Sequence, residues 1–206
     1  MEAKEIILAL ALKYSNDWQL IYEGIKTKED LTEEDLQRVA DFKGNYITVL
    51  DKEYPQRLKS MYHLPFVLFY EGDLSLLSKV DENGKNNKLV YLHGPNTLKI
   101  PEDRLCVALP NNVYLISGGL KVWTDKRRGI MDTCHLPSGL CHNIVCTKIY
   151  RREESSPFIA LTLSSSLSMG NNIFMVPTST PSLNNALIKQ GAYLIDEISD
   201  LDVEEE

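Results

Sequence analysis

The chain has 206 residues, of which 22 are basic and 29 acidic, with a formal net charge of -7 and 43% hydrophobic residues. Those proportions belong to an ordinary globular protein and exclude a disordered chain, and no apolar run approaches the ~18 residues that a membrane-spanning helix needs. The acidic balance excludes a polybasic coat for nucleic acid, although a local basic groove stays open because the acid gathers at the end, in DEISDLDVEEE.

Residues 4 to 24 set Ile6, Ile7, Leu10 and Leu12, then Trp18, Leu20 and Ile21, at helical spacing, and Asn16 with Asp17 is expected to split them into two helices. The start, MEAKEIILALALKY, carries Glu2 and Glu5 and no small-residue cleavage site after a basic stretch. It reads as a folded helix rather than a signal peptide, so the expected location is the cytoplasm. Four cysteines in a chain of this length agree with free thiols in a reducing compartment. In TKEDLTEEDLQRVADF, Thr32 and Asp35 predict an N-cap and its third-position acid ahead of Leu36 and Val39. Residues 1–43 therefore read as a small helical module.

Residues 44–86 read as a linker of strand, helix and strand. NYITVL is β-branched and aromatic, Pro55 opens a brief helix over QRLKSMY, and Pro65 ends it because the residue before a proline avoids the α region. FVLFYEG is a second short strand closed by Gly72, and the charged loop DENGKNNK marks a boundary.

Residues 87–198 carry strand candidates at LVYLHG (89–94), NVYLIS (112–117), NIVCTKIY (143–150), PFIALTL (157–163), NIFMVP (172–177) and AYLI (192–195). Apolar runs flanked by turn signals suit the buried strands of a parallel sheet. SLNNALIKQG reads as a helix capped by Ser182 and ended by Gly191. About nine residues separate LTL from NIF, too few for a parallel crossover. Either a helix is missing there or that pair is antiparallel. Residues 199–206 form an acidic tail.

The linker resembles the segment that leads into the Rossmann-like domain of the DNA-processing family DprA (Smf), carried by Ile47, Thr48, Val49, Asp51, Tyr54, Pro55, Leu58, Pro65, Leu68, Phe69 and Gly72. Val176, Pro177, Ser182, Asn185, Leu187, Ile188, Gly191 and Ala192 resemble the family's closing unit, and Leu115 to Gly119 its strand followed by Ser-Gly. The resemblance implies an α/β fold: a Rossmann-like, mostly parallel sheet with a small N-terminal helical module. Several family features are absent. The first Rossmann strand ends in Gly94-Pro95-Asn96 where the family has Gly-Ser-Arg, the arginine-rich turn has no counterpart, and the Ser-Gly-Ser-Leu turn is at best Ser164 to Leu167. No winged-helix domain is expected after residue 196. The chain reads as a reduced and divergent member, with its losses on the ligand-facing loops.

In such a sheet the ligand lies beyond the C-terminal strand ends, where backbone amides and helix N-termini meet phosphate. The edges so placed are Gly94-Pro95-Asn96, Ser117-Gly118-Gly119, Ser164-Ser165-Ser166 and Thr178-Ser179. Lys121, Lys126, Arg127 and Arg128 follow the Ser-Gly turn with Trp123 among them, and cations beside an aromatic ring suit single-stranded nucleic acid. The expected ligand and DNA-binding residues are Gly94, Asn96, Ser117, Gly118, Gly119, Lys121, Trp123, Lys126, Arg127 and Arg128. The plainer alternative is a set of ordinary turns and a solvated loop with one half-buried Trp. Lys148, Arg151 and Arg152 form a weaker cluster, offset by Glu153 and Glu154.

CHLPSGLCHNIVC brings Cys134, His135, Cys141, His142 and Cys146 within close range, but it has no C-x-x-C knuckle, so buried thiols are expected rather than a metal site. No G-x-S-x-G, P-loop or paired acid points to hydrolysis or transfer, so neither catalysis nor a cofactor is expected. The resemblance implies a protein that binds single-stranded DNA weakly and helps a RecA-type recombinase to load in DNA-mediated transformation, and it leaves room for a homodimer. The alternatives are a sensor of a nucleotide derivative on the same fold, or an interaction scaffold that has lost its ligand site.

Overall fold

The protein is described from a computed structural model covering residues 2–78, 89–93, 105–108, 114–116, 119–124, 130–146, 157–179 and 181–196. Three helices come first: α1 (Ala3–Lys13), α2 (Trp18–Thr27) and α3 (Glu33–Asp41). The break between α1 and α2 falls where the sequence puts it, with Ser15 and Asn16 at φ 50 and 60 and the Asp17 side chain accepting the Leu20 N–H. At α3, Thr32 Oγ1 accepts the Asp35 N–H at 3.2 Å, and Asp35 Oδ2 accepts the Thr32 N–H at 3.1 Å. That is the expected capping box.

The chain then enters one sheet. β1 (Asn45–Thr48), α4 (Gln56–Lys59), β2 (Val67–Glu71) and α5 (Ser75–Ser78) make the linker. β3 (Leu89–His93), β4 (Leu105–Ala108), β5 (Tyr114–Ile116), β6 (Leu120–Trp123), α6 (Ile130–Leu140), β7 (Asn143–Cys146), α7 (Pro157–Ser168), β8 (Asn172–Met175), α8 (Leu183–Lys189) and β9 (Tyr193–Leu194) follow. Among the described residues the strands lie in the order β1-β2-β6-β5-β4-β3-β7-β8-β9. The strands read at 89–94, 112–117, 172–177 and 192–195 all belong to it. From β4 through β3, β7 and β8 to β9 every pairing is parallel. This half is the Rossmann-like core. The pairings β4–β5, β5–β6, β6–β2 and β2–β1 are antiparallel and extend the sheet into a wing built on the linker. No described helix is long and apolar enough to cross a membrane.

The wing is covered on both faces, and strand alternation assigns the residues to each. Val67 and Phe69 of β2 point to one side, into a core with Ile7, Leu8, Leu10, Ala11 and Ile21 of the helical module. Leu68 points to the other, into a core with Ile47, Tyr54, Leu58, Leu120, Val122, Leu136, Leu140 and Ile144. Each such buried side chain contributes about 1.5–3 kcal/mol of transfer free energy. A one-residue slip of β2 would exchange the two sets. The linker holds module and body together as the middle of both cores: Tyr54 and Phe69 are buried, and Pro65 is half-buried.

Two expectations are corrected. Residues 157–163 are not a strand but the first part of helix α7, which supplies the missing crossover between the parallel strands β7 and β8. Pro157 sits at its first position, where its fixed φ and absent N–H suit a helix start. The serines 164–166 lie within the same helix, and buried Ser166 meets Ser138 of α6 at 2.9 Å between hydroxyls, so they form no ligand turn. The second correction is at residues 112–117, read as a strand of a parallel sheet: β5 runs antiparallel to both its neighbours, β4 and the strand β6 that follows it. Helix α6, also unforeseen, packs against α4 at Gly139, where a Cβ would come within 2.3 Å of Leu58 Cδ2.

Candidate functional site

The order β5-β4-β3-β7-β8-β9 repeats the 3-2-1-4-5-6 order of a doubly wound sheet, with its third strand reversed. From β3 the chain turns to β4 on one side and, later, to β7 on the other. The crevice where a ligand is expected therefore opens beyond the C-terminal ends of β3 and β7, at His93 and Cys146. Gly94 and Asn96, and the cluster Lys148, Arg151 and Arg152, follow those ends in the sequence and lie outside the described residues.

The described part of that edge is the turn from β8 into α8, and it is closed on itself. Asn185 accepts the Thr178 N–H at 3.0 Å and donates to the Thr178 carbonyl at 2.7 Å. Ser182 Oγ accepts the Asn185 N–H at 3.1 Å and the Thr178 hydroxyl at 3.1 Å. Buried Asn184 donates to the Val176 carbonyl at 3.2 Å. Thr178, read from sequence as a phosphate donor, thus has its hydroxyl committed to the helix cap.

Ser117 and Gly118 lie outside the described residues, and Gly119, at φ +86, leads into β6. The register Ile116↔Leu120 and Leu115↔Lys121 pairs β5 and β6 as antiparallel neighbours. A strand follows Gly119, so no helix N-terminus meets a phosphate there. The physical cause is the alternation in LKVW: Leu120 and Val122 enter the core while Lys121 and Trp123 face the other way.

Lys121 and Trp123 are on the same face but already have partners. Lys121 Nζ is 2.7 Å from Glu71 Oε2, with the two side chains 49% and 60% exposed. A pair so open to water contributes about 0–1 kcal/mol and yields readily to a phosphate. Trp123 is half-buried with its ring 6.3 Å from that of Phe69, so it is packed rather than presented for stacking. Lys126, Arg127 and Arg128 lie outside the described residues; they follow Thr124, which lines a cavity of about 90 Å³ at the junction with the helical module.

Sequence reading passed over Arg57, taken only as part of a short helix. Its Nη1 lies 2.8 Å from each ring nitrogen of His142, and Nη2 donates to Asn171 Oδ1. Asn171 Nδ2 donates on to the Ser138 carbonyl at 2.8 Å. Burial lowers the pKa of Arg57, and burial together with the guanidinium pushes His142 down to about 4, so the imidazole is neutral and free to accept. This network clamps α4 to the starts of β7 and β8. The thiols of Cys141 and Cys146 are buried, and burial raises that of Cys146 to about 12. Cys146 shares a strand face with buried Ile144, as its spacing predicts.

A family model described as DNA recombination-mediator protein A matches residues 45–83. That span contains every residue of the linker on which the resemblance rests, and the resemblance to the DNA-processing family is shown there. No curated protein matches the chain in sequence. Among solved structures, the X-ray structure of DNA processing protein A (DprA) from Streptococcus pneumoniae matches with a TM-score of 0.56 and 16% sequence identity, covering 98% of this chain and 93% of that one. At that identity the likeness is one of fold.

Proposed function

We propose that this chain, a divergent relative of the DNA-processing family, binds single-stranded DNA without catalysis and serves DNA processing of the recombination-mediator kind. The carrying observation is the family match over 45–83, the segment that sits in both cores and holds the helical module to the sheet. The chemistry in its favour is cationic: Lys121 is exposed on β6, and Lys126, Arg127 and Arg128 follow it in the sequence. The partners on this reading are the strand itself and a RecA-type recombinase, and the compartment is the cytoplasm. Affinity is low, because Asn96 stands where the family has arginine, the arginine-rich turn is absent and the net charge is -7. Dissociation constants of ~10⁻⁴ to 10⁻⁶ M at physiological salt follow from mainly electrostatic binding.

Fluorescence anisotropy of a labelled oligo-dT across a salt series tests the proposal. Replacing Lys126, Arg127 and Arg128 together with alanine should weaken binding and reduce the slope of log K against log salt by about two units, at roughly 0.7 per lost contact. An absence of binding at low salt ends the proposal. A rise in melting temperature with a nucleotide panel would then favour the sensor alternative, and no response to either ligand would favour the scaffold.

A further inference from the structure

The wing ends on β1, which among the described residues pairs only with β2. An outermost strand presents backbone N–H and C=O groups that a second chain can pair with. Which residues of β1 present them follows from the ladder. Just beyond β1, the Val49 N–H donates to the Phe66 carbonyl at 3.0 Å, which makes these two a hydrogen-bonded pair. Bonded and non-bonded pairs alternate along antiparallel strands, so Ile47 and Asn45 also face β2. Thr48 and Tyr46 therefore turn their backbone groups outward, away from β2. By the same alternation Val67, opposite Thr48, turns its own toward the other side of β2. There β6 meets β2 at Phe69, Tyr70 and Glu71, and the Val67 carbonyl accepts instead from Nδ2 of Asn16, at 3.1 Å. A side chain of the helical module thus fills a place that a strand would take.

Thr48 is closed more completely, and by one residue. Its N–H donates to Asp51 Oδ2 at 2.7 Å, and its hydroxyl donates to the same oxygen at 2.8 Å. Its carbonyl accepts the Asp51 N–H at 3.0 Å. A bonded pair of residues on adjacent antiparallel strands makes two such bonds, one in each direction. Asp51 therefore takes the place of the residue that a further strand would set opposite Thr48. Thr48 is fully buried beneath it. The edge has reason to be closed, because Leu50 beside it is 57% exposed, and an apolar side chain on an open strand edge favours association. A carboxylate suits the position twice over, as a strong acceptor and as a charge at a sheet edge.

We propose that Asp51 guards this edge: by taking both outward backbone groups of Thr48, it keeps β1 from pairing with β1 of a second copy of the chain. A second copy is the partner guarded against because every molecule carries the same edge, and antiparallel pairing about a two-fold axis sets like against like. Without the carboxylate, the Thr48 N–H is a buried donor with no acceptor, and one bond holds the turn over it. A strand from a second copy then supplies the missing acceptor.

Sedimentation equilibrium over a concentration series compares the full-length parent with Asp51→Ala and Asp51→Asn. Asp51→Ala should self-associate about ten-fold more tightly than the parent, or better. Its Tyr46 amide, which points out of the same edge, should exchange with solvent more slowly as concentration rises. That second readout places the pairing at β1 whatever association the parent shows through another surface. Asp51→Asn keeps an acceptor oxygen at the same reach and should associate no more than the parent. If Asp51→Ala does not fold, Asp51→Glu, whose carboxylate lies one methylene farther out, takes its place with the same expectation. A folded variant that associates no more than the parent overturns the guard. So does association that leaves the Tyr46 amide unchanged, or association of Asp51→Asn as tight as that of Asp51→Ala.

Discussion

Tyr54 Oη donates to the carbonyl oxygen of Pro65 at 2.5 Å, joining the start and end of the helical stretch between β1 and β2. Tyr54 is 1% exposed, and burial raises the pKa of its phenol. Helix α4 stops at Lys59, short of the run through Tyr62 that the sequence suggested, so Pro65 does not end it; the Pro65 carbonyl is the acceptor that a buried tyrosine needs. The Tyr-Pro pair and the second proline therefore act as one device.

Tyr54→Phe keeps the ring and removes the donor. It should destabilise the protein by about 1–2 kcal/mol, the cost of leaving the Pro65 carbonyl without its partner. Urea unfolding followed by far-UV circular dichroism measures this, with an unchanged m-value expected.

Gly72 closes β2 at φ +102, and a Cβ there would meet the Gly119 carbonyl oxygen at 2.8 Å. Both the backbone conformation and the approach of Gly119 demand glycine. Gly72→Ala should cost about 2 kcal/mol or more, seen as a lower thermal midpoint. A midpoint equal to that of the parent would show that Gly119 does not pack against this turn.

The Arg57–His142 contact makes stability depend on pH. The folded-state pKa of His142, about 4, lies below the ordinary value near 6.5. The unfolded chain therefore takes up this proton first as pH falls. The stabilising contribution is full above about pH 6.5 and is lost progressively toward pH 4. The urea midpoint should fall between pH 7 and pH 5, and His142→Gln should flatten that slope. An unchanged slope in the variant would place the titration elsewhere.

Glu71 holds Lys121 by an exposed ion pair across the β2–β6 pairing. Glu71→Gln should release the ammonium and remove a repelling charge, so oligo-dT affinity at low salt should rise about two- to five-fold, the equivalent of a surface pair worth up to ~1 kcal/mol. Anisotropy titration reads this, and a loss of affinity would mean that Lys121 needs Glu71 to hold its position.

What the sequence determined by itself was local. The Thr32–Asp35 capping box, the break at Asn16 and Asp17, the start of α8 at Ser182 and the Tyr-Pro linker are all set by residues no more than 11 positions apart, so their signals survive without the fold. The tertiary structure alone decided the rest. A short apolar run such as PFIALTL reads equally as a buried strand or a buried helix, and only the crossover required between parallel β7 and β8 makes it α7. The alternation in LKVW is too short to announce β6, and the partner of Lys121 is a carboxylate brought across from β2 by sheet register. Trp18 and His63 stack because the module packs on one face of β2 while the helix before that strand packs on the other. Such contacts join residues far apart in the chain, and their free energy exists only once the intervening loops have closed.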